Sequence, residues 1–378
     1  HEALHTFADE FSRGVIRRYL NGREFVTFAE PRYIIDLTGL SESQVKNEHP
    51  EIYQRLFDTV KPIRDNVKRA ARRERWWIYS EANVTMRPMF SGLSRYIATC
   101  RTAKHRVFGF LDCAILPDAK LIAIGLDDGW HLSVLSSRLH VTWALATGAF
   151  LEDRPNYNHA QCFNPFPFPD ATVTQRTHLR GLGEQLDAHR KDCQAAHPKL
   201  TLTQMYNVLE KLRAGERIEG KDREIYDQGL IGILRDLHDQ IDQAVADAYG
   251  WPADLSDDDI LHRLVDLNRE RAAEEARGHI RWLRPDYQNP DGRAATAKAE
   301  QTALEIGPKD TATKDAWPKS LPEQIAAVQT ALAELGEATP EQIARQFKRG
   351  RASTVQPLLE SLAALGQARP TERGRFAV

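Results

Sequence analysis

RYIATCRTAKHRVFGFLD, Arg95 to Asp112, is the stretch on which the fold turns. Two apolar runs, Tyr96-Ile97-Ala98 and Val107-Phe108-Gly109-Phe110-Leu111, flank a basic segment, Arg101-Thr102-Ala103-Lys104-His105-Arg106. Short β-type runs on either side of a polar connection predict a hairpin, here with cations at its tip. A rigid tip of that charge suits contact with a polyanion. Beyond it, Leu121–Gly125 predicts another strand, Asp127-Asp128-Gly129 a turn, His131–Leu135 a strand and Ser137–Thr147 a helix. Leu139, Trp143 and Ala146 share one face of that helix. The stretch runs out through SRLHVTWALATGAFLEDRPNYNHAQCFNPFPFPD, which ends at Asp170 in a loop rich in Pro and Phe.

Upstream, the opening HEALHTFADEFSRGVIRRYLNGREF enters as if in mid-helix, without a starting Met, and reads as a piece of a longer protein. Asn21-Gly22 predicts a turn, and Tyr33–Leu37 a short strand. Ser41 followed by Gln44 is a capping-box signature for a helix that stops before Pro50 and resumes through Ile52, Leu56 and Phe57. The most basic run is Lys61 to Arg75, with seven cations (Lys61, Arg64, Lys68, Arg69, Arg72, Arg73, Arg75) against Asp65 and Glu74, a surplus of five charges. Read as one helix, it sets Arg64, Lys68 and Arg72 on a single face able to neutralise phosphates. The competing reading is an ordinary solvated helix. Trp76-Trp77-Ile78-Tyr79 predicts a strand whose tryptophans pack in a sheet rather than stack on bases.

Downstream the character changes. Leu179, Leu182 and Leu186 have helical spacing. So do Met205, Val208, Leu209 and Leu212, and then Ile231, Leu234, Leu237, Ile241, Val245 and Ala248. Gly250-Trp251-Pro252 supplies stop chemistry, and Ser256 caps a further helix carrying Ile260, Leu264 and Leu267. Residues 284–317 are polar, broken by Pro and Gly, and read as a linker. After it come three short helices, stopped by Gly336, the Arg349–Arg351 turn and Gly366, and a terminal two-strand ribbon with Arg369, Arg373 and Arg375. The order resembles a winged helix, which docks on either DNA or protein. The predicted fold is therefore α+β. Residues 1–170 form a mixed α/β domain, 171–283 a helical module, 284–317 a linker and 318–378 a winged-helix-like domain.

Composition bounds the function. The chain has 378 residues and a net charge of −2, so any nucleic-acid surface is a local patch. The four cysteines (Cys100, Cys113, Cys162, Cys193) are scattered, which excludes paired zinc-type spacing and a disulfide scaffold and fits a reducing cytoplasm. No apolar run reaches the roughly 18 residues of a membrane helix. There is no GxxxxGK[ST] loop, no HExxH and no recognisable Ser-His-Asp context. Glu152 and Asp153 are adjacent carboxylates that point apart on an extended chain. Asn164-Pro165-Phe166-Pro167-Phe168-Pro169 imitates the Asn-Pro-Pro-aromatic loop of amino-methyltransferases, but Phe166 displaces the second proline. A rigid connector explains it better.

Taken together, RYIATCRTAKHRVFGFLD, LIAIGLDD and VLSSRLHVTWALATGAFLEDRPNYNHAQCFNPFPFP resemble the target recognition domain of large class I, S-adenosylmethionine-dependent DNA methyltransferases. The type IIL restriction-modification enzymes and related phage-defence methylases are of this kind. YLNGREF and RRERWWIYSE are similar to the segment that follows the catalytic domain in that family, and LHDQIDQAVADAYGWPADLSDDDILHRLVDLN is similar to its C-terminal helical region. The resemblance covers about residues 14–275. Two departures are Cys100-Arg101-Thr102-Ala103 for Pro-Arg-Val-Ser, and Ser136-Ser137-Arg138-Leu139-His140 for His-Ser-Arg-Phe-His. It implies sequence-specific recognition of double-stranded DNA for an adenine-N6 methyltransferase. Lys68, Arg69, Arg72, Arg73, Arg101, Lys104 and Arg106 would contact phosphates, and Arg95, Arg101, Lys104 and His105 base edges. It assigns no catalytic, metal or cofactor residue to this chain and implies S-adenosylmethionine for the full enzyme only. The implied partners are the catalytic domain or subunit and other defence-system proteins. The competing expectation is a non-catalytic adaptor that docks such proteins through its helical and winged-helix modules.

Overall fold

A computed structural model of the chain describes residues 14–27, 32–80, 83, 86–151, 154–292, 315–318, 321–344, 346–348, 352–364, 368–371 and 375–377. Two units result, His1–Lys298 and Ala299–Val378. The mid-helix expectation for residues 1–13, the pair Glu152 and Asp153, the turn at 349–351 and most of the linker lie outside the described residues.

In the first unit, β1 (Ile16–Leu20) runs into Asn21. The Asn21 side chain accepts from the Glu24 amide at 2.9 Å, and the Glu24 carboxylate accepts from the Asn21 amide at 2.9 Å. This reciprocal cap starts α1 (Gly22–Val26), so Asn21-Gly22 opens a helix instead of closing a turn. β2 (Arg32–Ile35) pairs antiparallel with β1. α2 (Glu42–Glu48) starts at the expected Ser41–Gln44 capping box, and α3 (Pro50–Thr59) resumes after Pro50.

The basic run does not form one helix. It makes α4 (Lys61–Asp65) and α5 (Ala70–Glu74), because the Asn66 side chain donates to Pro62 O at 2.8 Å and ends the first helix with its own hydrogen bond. Arg69 is extended there, so Arg64, Lys68 and Arg72 share no helix face. Trp76–Tyr79 is a turn and not the expected strand. Side chains anchor it. The Trp76 ring lies 5.6 Å from Tyr53 and 5.9 Å from Phe57, while Trp77 Nε1 donates to Leu40 O at 2.9 Å.

After α6 (Met86–Met89) comes the hairpin. β3 (Arg95–Cys100) and β4 (Phe108–Asp112) pair antiparallel from Arg95–Asp112 to Thr99–Phe108. β5 (Ile115–Pro117) joins β1 in parallel, and β6 (Leu121–Ile124) joins the other side of β3. The sheets are thus β2-β1-β5 and β4-β3-β6. The predicted strand His131–Leu135 is instead part of α7 (Gly129–Ser136), which Asp128 caps by accepting from the Trp130 amide at 3.1 Å. Every residue of α7 is buried, so no polar face betrays the helical period. Ser137 then caps α8 (Arg138–Thr147), and β7 (Ala149–Leu151) and β8 (Arg154–Asn156) form a second hairpin.

The helical region follows the predicted stripes as α9 (Val173–Ala196), α10 (Leu202–Arg213), α11 (Gly220–Gln228), α12 (Ile231–Tyr249) and α13 (Asp257–Ala276), with a short α14 (Pro285–Gln288). α12 stops at Gly250, whose φ of 69° lies in the left-handed region glycine favours. One core joins Val107, Val134 and Trp143 to Leu186, Met205 and Ile241, so packing is continuous across residue 170.

Side chains of α9 complete the free edge of β4. Asp187 accepts from the Phe110 amide at 3.0 Å, Arg190 donates to Phe108 O at 2.9 Å, and Lys191 donates to Phe110 O at 2.9 Å. α9 also crosses α7 closely. A Cβ added to Gly183 would lie 2.1 Å from Gly129 O.

The second unit contains β9 (Asp315–Ala316), α15 (Leu321–Leu335), β10 (Glu337–Ala338), α16 (Pro340–Ala344), β11 (Phe347–Lys348), α17 (Ala352–Ala364), β12 (Arg369–Pro370) and β13 (Phe376–Ala377). β13 lies between β10 and β12, and β9 pairs with β11 in parallel. Val328, Leu332, Ile343, Val355, Leu359 and Leu362 close its core. Among the described residues no helix is long and apolar enough to cross a membrane.

The two glycines near the α7–α9 crossing should respond oppositely. Gly183→Ala must push two backbones apart and should cost about 3 kcal/mol in denaturant unfolding. A Cβ at Gly181 meets nothing within 4 Å, so Gly181→Ala should gain about 0.5–1 kcal/mol. Acid should also weaken the first unit. Burial pushes His131 and His140 down to about 3. Between about 6.5 and 3 the unfolded rings bind protons that the folded ones refuse, so stability falls as pH falls. From pH 7 to 5 the loss should reach about 2 kcal/mol per ring, and a urea midpoint that stays flat over this range would contradict it.

Candidate nucleic-acid interface

The loop between β3 and β4, residues 101–107, is pinned along its backbone. The Arg101 amide donates to Lys120 O at 2.8 Å, the Tyr157 amide donates to Arg101 O at 2.6 Å, and the Ala103 amide donates to Pro155 O at 3.4 Å. Thr102 bridges to Asn156. The loop therefore lies along β8, and its shape depends on main-chain groups more than on its own side chains.

Arg106 fastens it from inside. Its guanidinium donates to Thr99 Oγ1 at 3.2 Å, to Cys100 O, and to Pro155 O at 3.2 Å, and lies 5.1 Å from the centre of the Tyr157 ring. Burial lowers its pKa below the ordinary arginine value. The surrounding carbonyls and the ring face accommodate the charge. This arginine is a bracket within the loop.

Lys104 and His105 are held by α10. Lys104 Nζ donates to Asn207 Oδ1 at 2.9 Å and to Glu210 Oε2 at 2.9 Å, and His105 Nε2 lies 2.7 Å from Asn207 Oδ1. Lys104 holds the Glu210 carboxyl below the usual range. The His105 ring is 6.0 Å from that of Tyr206, whose hydroxyl is 2.7 Å from His238 Nε2. Asn207 and Glu210 did not stand out in the sequence. The signal was there, since the buried stripe Leu202, Met205, Tyr206, Val208, Leu209 leaves 207 and 210 one turn apart on the other side of α10.

Arg101 is exposed, and its side chain has no partner among the described residues. Arg95 sits at the far end of β3. It donates to both oxygens of Glu184, to Oε2 at 2.8 Å, and to Asp127 O at 3.0 Å, and its guanidinium lies 3.7 Å from the Phe110 ring centre. Pairing with Glu184 raises its pKa. The structure therefore brings together Arg101, Lys104, His105 and Arg106, with Arg95 apart from them. Lys68, Arg69, Arg72 and Arg73 belong to the separate α4–α5 segment. Lys68, Arg69 and Arg73 are exposed and Arg72 is half-buried, while Arg73 folds back on Val67 O at 2.7 Å and Lys68 O at 2.9 Å.

Two loops bear on S-adenosylmethionine, the cofactor that the sequence resemblance implies for the full enzyme. The strand-loop-helix of β6 and α7 is filled by protein. A Cβ on Gly125 would meet Met89 at 2.3 Å and one on Gly129 would meet Arg180 O at 2.6 Å. Asp128 at that helix end is bonded to Arg180 at 2.8 Å and 2.6 Å. The Asn164–Pro169 loop is held from its inner side. Phe166 is buried 4.4 Å from the His140 ring, Asn268 donates to Pro165 O, and the Tyr249 hydroxyl donates to Pro167 O at 2.7 Å. The outer face of this second loop, with Arg271, Glu274 and Trp282, lines a cavity of about 650 Å³.

Comparison with known proteins places these features. Residues 2–170 match the family model of the MmeI target recognition domain. DNA methyltransferase A of Bacillus subtilis (strain 168) is 25% identical over 140 residues, which are 37% of this chain and 13% of that protein. The solved structure of the type IIL restriction-modification enzyme MmeI in complex with DNA aligns with a TM-score of 0.49 and 18% identity, covering 72% of this chain and 33% of that one. The chain thus spans a minor part of the length of both. On the evidence of its sequence, the segment 2–170, which carries the pinned basic hairpin, is similar to the MmeI target recognition domain.

Proposed function

We propose that this chain selects the site on double-stranded DNA for an S-adenosylmethionine-dependent adenine-N6 methyltransferase of a restriction-modification or phage-defence system, working in the cytoplasm. The catalytic domain or subunit supplies the cofactor site and the chemistry. The observation that carries this reading is the hairpin tip of a matched target recognition domain: Arg101 is uncommitted and exposed on a backbone fixed from two sides. A fixed backbone with one free guanidinium suits bidentate contact to guanine O6 and N7. Lys104 and His105 stand beside it as further base-edge candidates. Lys68, Arg69, Arg72 and Arg73 supply phosphate contacts that orient the duplex without reading it. Arg95 and Arg106 act as internal brackets. The second unit, three helices and a small antiparallel sheet, is read as winged-helix-like.

The test is binding of the full chain to a labelled duplex, measured from about 50 to about 200 mM salt. Affinity should fall steeply over that range. Arg101→Ala with Lys104→Ala should weaken binding about tenfold or more. Arg101→Ala alone should leave thermal stability within about 0.5 kcal/mol, whereas Arg106→Ala should cost about 3 kcal/mol because it strands buried carbonyls. Unchanged affinity in the double variant would sink the reading.

A further inference from the structure

Asn207 offers one amide oxygen to two neighbouring loop residues, Lys104 at 2.9 Å and His105 at 2.7 Å. The oxygen is rigidly mounted. Its helix buries Met205, Val208 and Leu209 in the core and is tied to α12 through Tyr206 and His238. One turn on, Glu210 pairs with Lys104 at 2.9 Å, but the two side chains are 61% and 57% exposed. An ion pair that wet is worth little and exchanges readily for another anion. Thus the side chains of Lys104 and His105 have one firm attachment and one weak one, both on α10.

We propose that Asn207 and Glu210 are positioning residues for sequence discrimination, an inference that rests on the DNA-reading function above. Asn207 holds Lys104 and His105 at the register in which they meet base edges. Glu210 holds the Lys104 charge in the free chain. On a matched duplex Lys104 stays beside it, held by Asn207 at the base edge, and screens the carboxylate. On an unmatched duplex Lys104 swings to a phosphate and leaves the carboxylate bare against the backbone, so the repulsion falls on unmatched binding alone.

The experiment uses the full chain and a duplex of about 30 base pairs with a randomised core, before and after rounds of selection on the wild-type chain. Discrimination is the affinity ratio of the selected to the unselected pool. Asn207→Ala should lower that ratio about tenfold while leaving unselected-pool affinity and melting temperature unchanged. Asn207→Asp keeps the oxygen acceptor and should retain the ratio. Glu210→Gln should raise unselected-pool affinity about fivefold and lower the ratio. The proposal is overturned if Asn207→Ala and Glu210→Gln leave the ratio at the wild-type value while Arg101→Ala with Lys104→Ala loses binding. It is equally overturned if Asn207→Ala lowers both affinities and the melting temperature together, the signature of a merely structural residue. If the Arg101 and Lys104 replacements change nothing, or selection enriches no sequence on the wild-type chain, the DNA-reading function itself falls, a separate and recognisable result.

Discussion

Edge strands carry unpaired backbone groups, and in this protein the outer edge of β4 is satisfied by a helix. Asp187, Arg190 and Lys191 of α9 supply the acceptor and donors that a fourth strand would have offered to Phe108 and Phe110. Leaving such groups buried and unpaired costs about 1–3 kcal/mol each. The demand fixes the distance and rotation of α9 against the sheet. That placement in turn requires the glycine crossing at Gly129 and Gly183, and it brings Glu184 to Arg95. The basic hairpin and the helical region are consequently one folded object with a shared core.

Much of this was legible beforehand. The hairpin at Arg95–Asp112, the capping box at Ser41 and the long stripes of α9 and α12 follow from period and cap chemistry alone. The misreadings have physical causes. α7 is buried on all sides, so its residues show no alternation of either period, and Asp128 was its one boundary signal. Trp76 and Trp77 look strand-like by composition, yet their indole N–H groups reach Glu42 and Leu40 and hold a turn. Asn66 interrupts a run whose charges suggest continuity.

The site was legible as a location more than as a mechanism. Sequence spacing collects Arg101, Lys104, His105 and Arg106 at one tip, but it weights all four alike. Only three-dimensional placement separates Arg106, enclosed by carbonyls, from Arg101, which faces solvent. Asn207 and Glu210 lie about a hundred residues further along the chain, |i−j| being 102 to 106 for their bonds to the loop. No local pattern connects residues so distant. The polar positions Asp187, Arg190 and Gln194 beside the leucine stripe of α9 were a comparable clue, since buried polar residues at helical spacing need partners elsewhere.

Pinning the loop through main-chain atoms makes its course independent of its composition. Arg101 O, Lys120 O and Pro155 O are present whatever side chains occupy those positions. Replacement at 101, 102 or 104 therefore leaves the loop's backbone anchors standing. The course of the loop is thus uncoupled from the chemistry that its exposed side chains present.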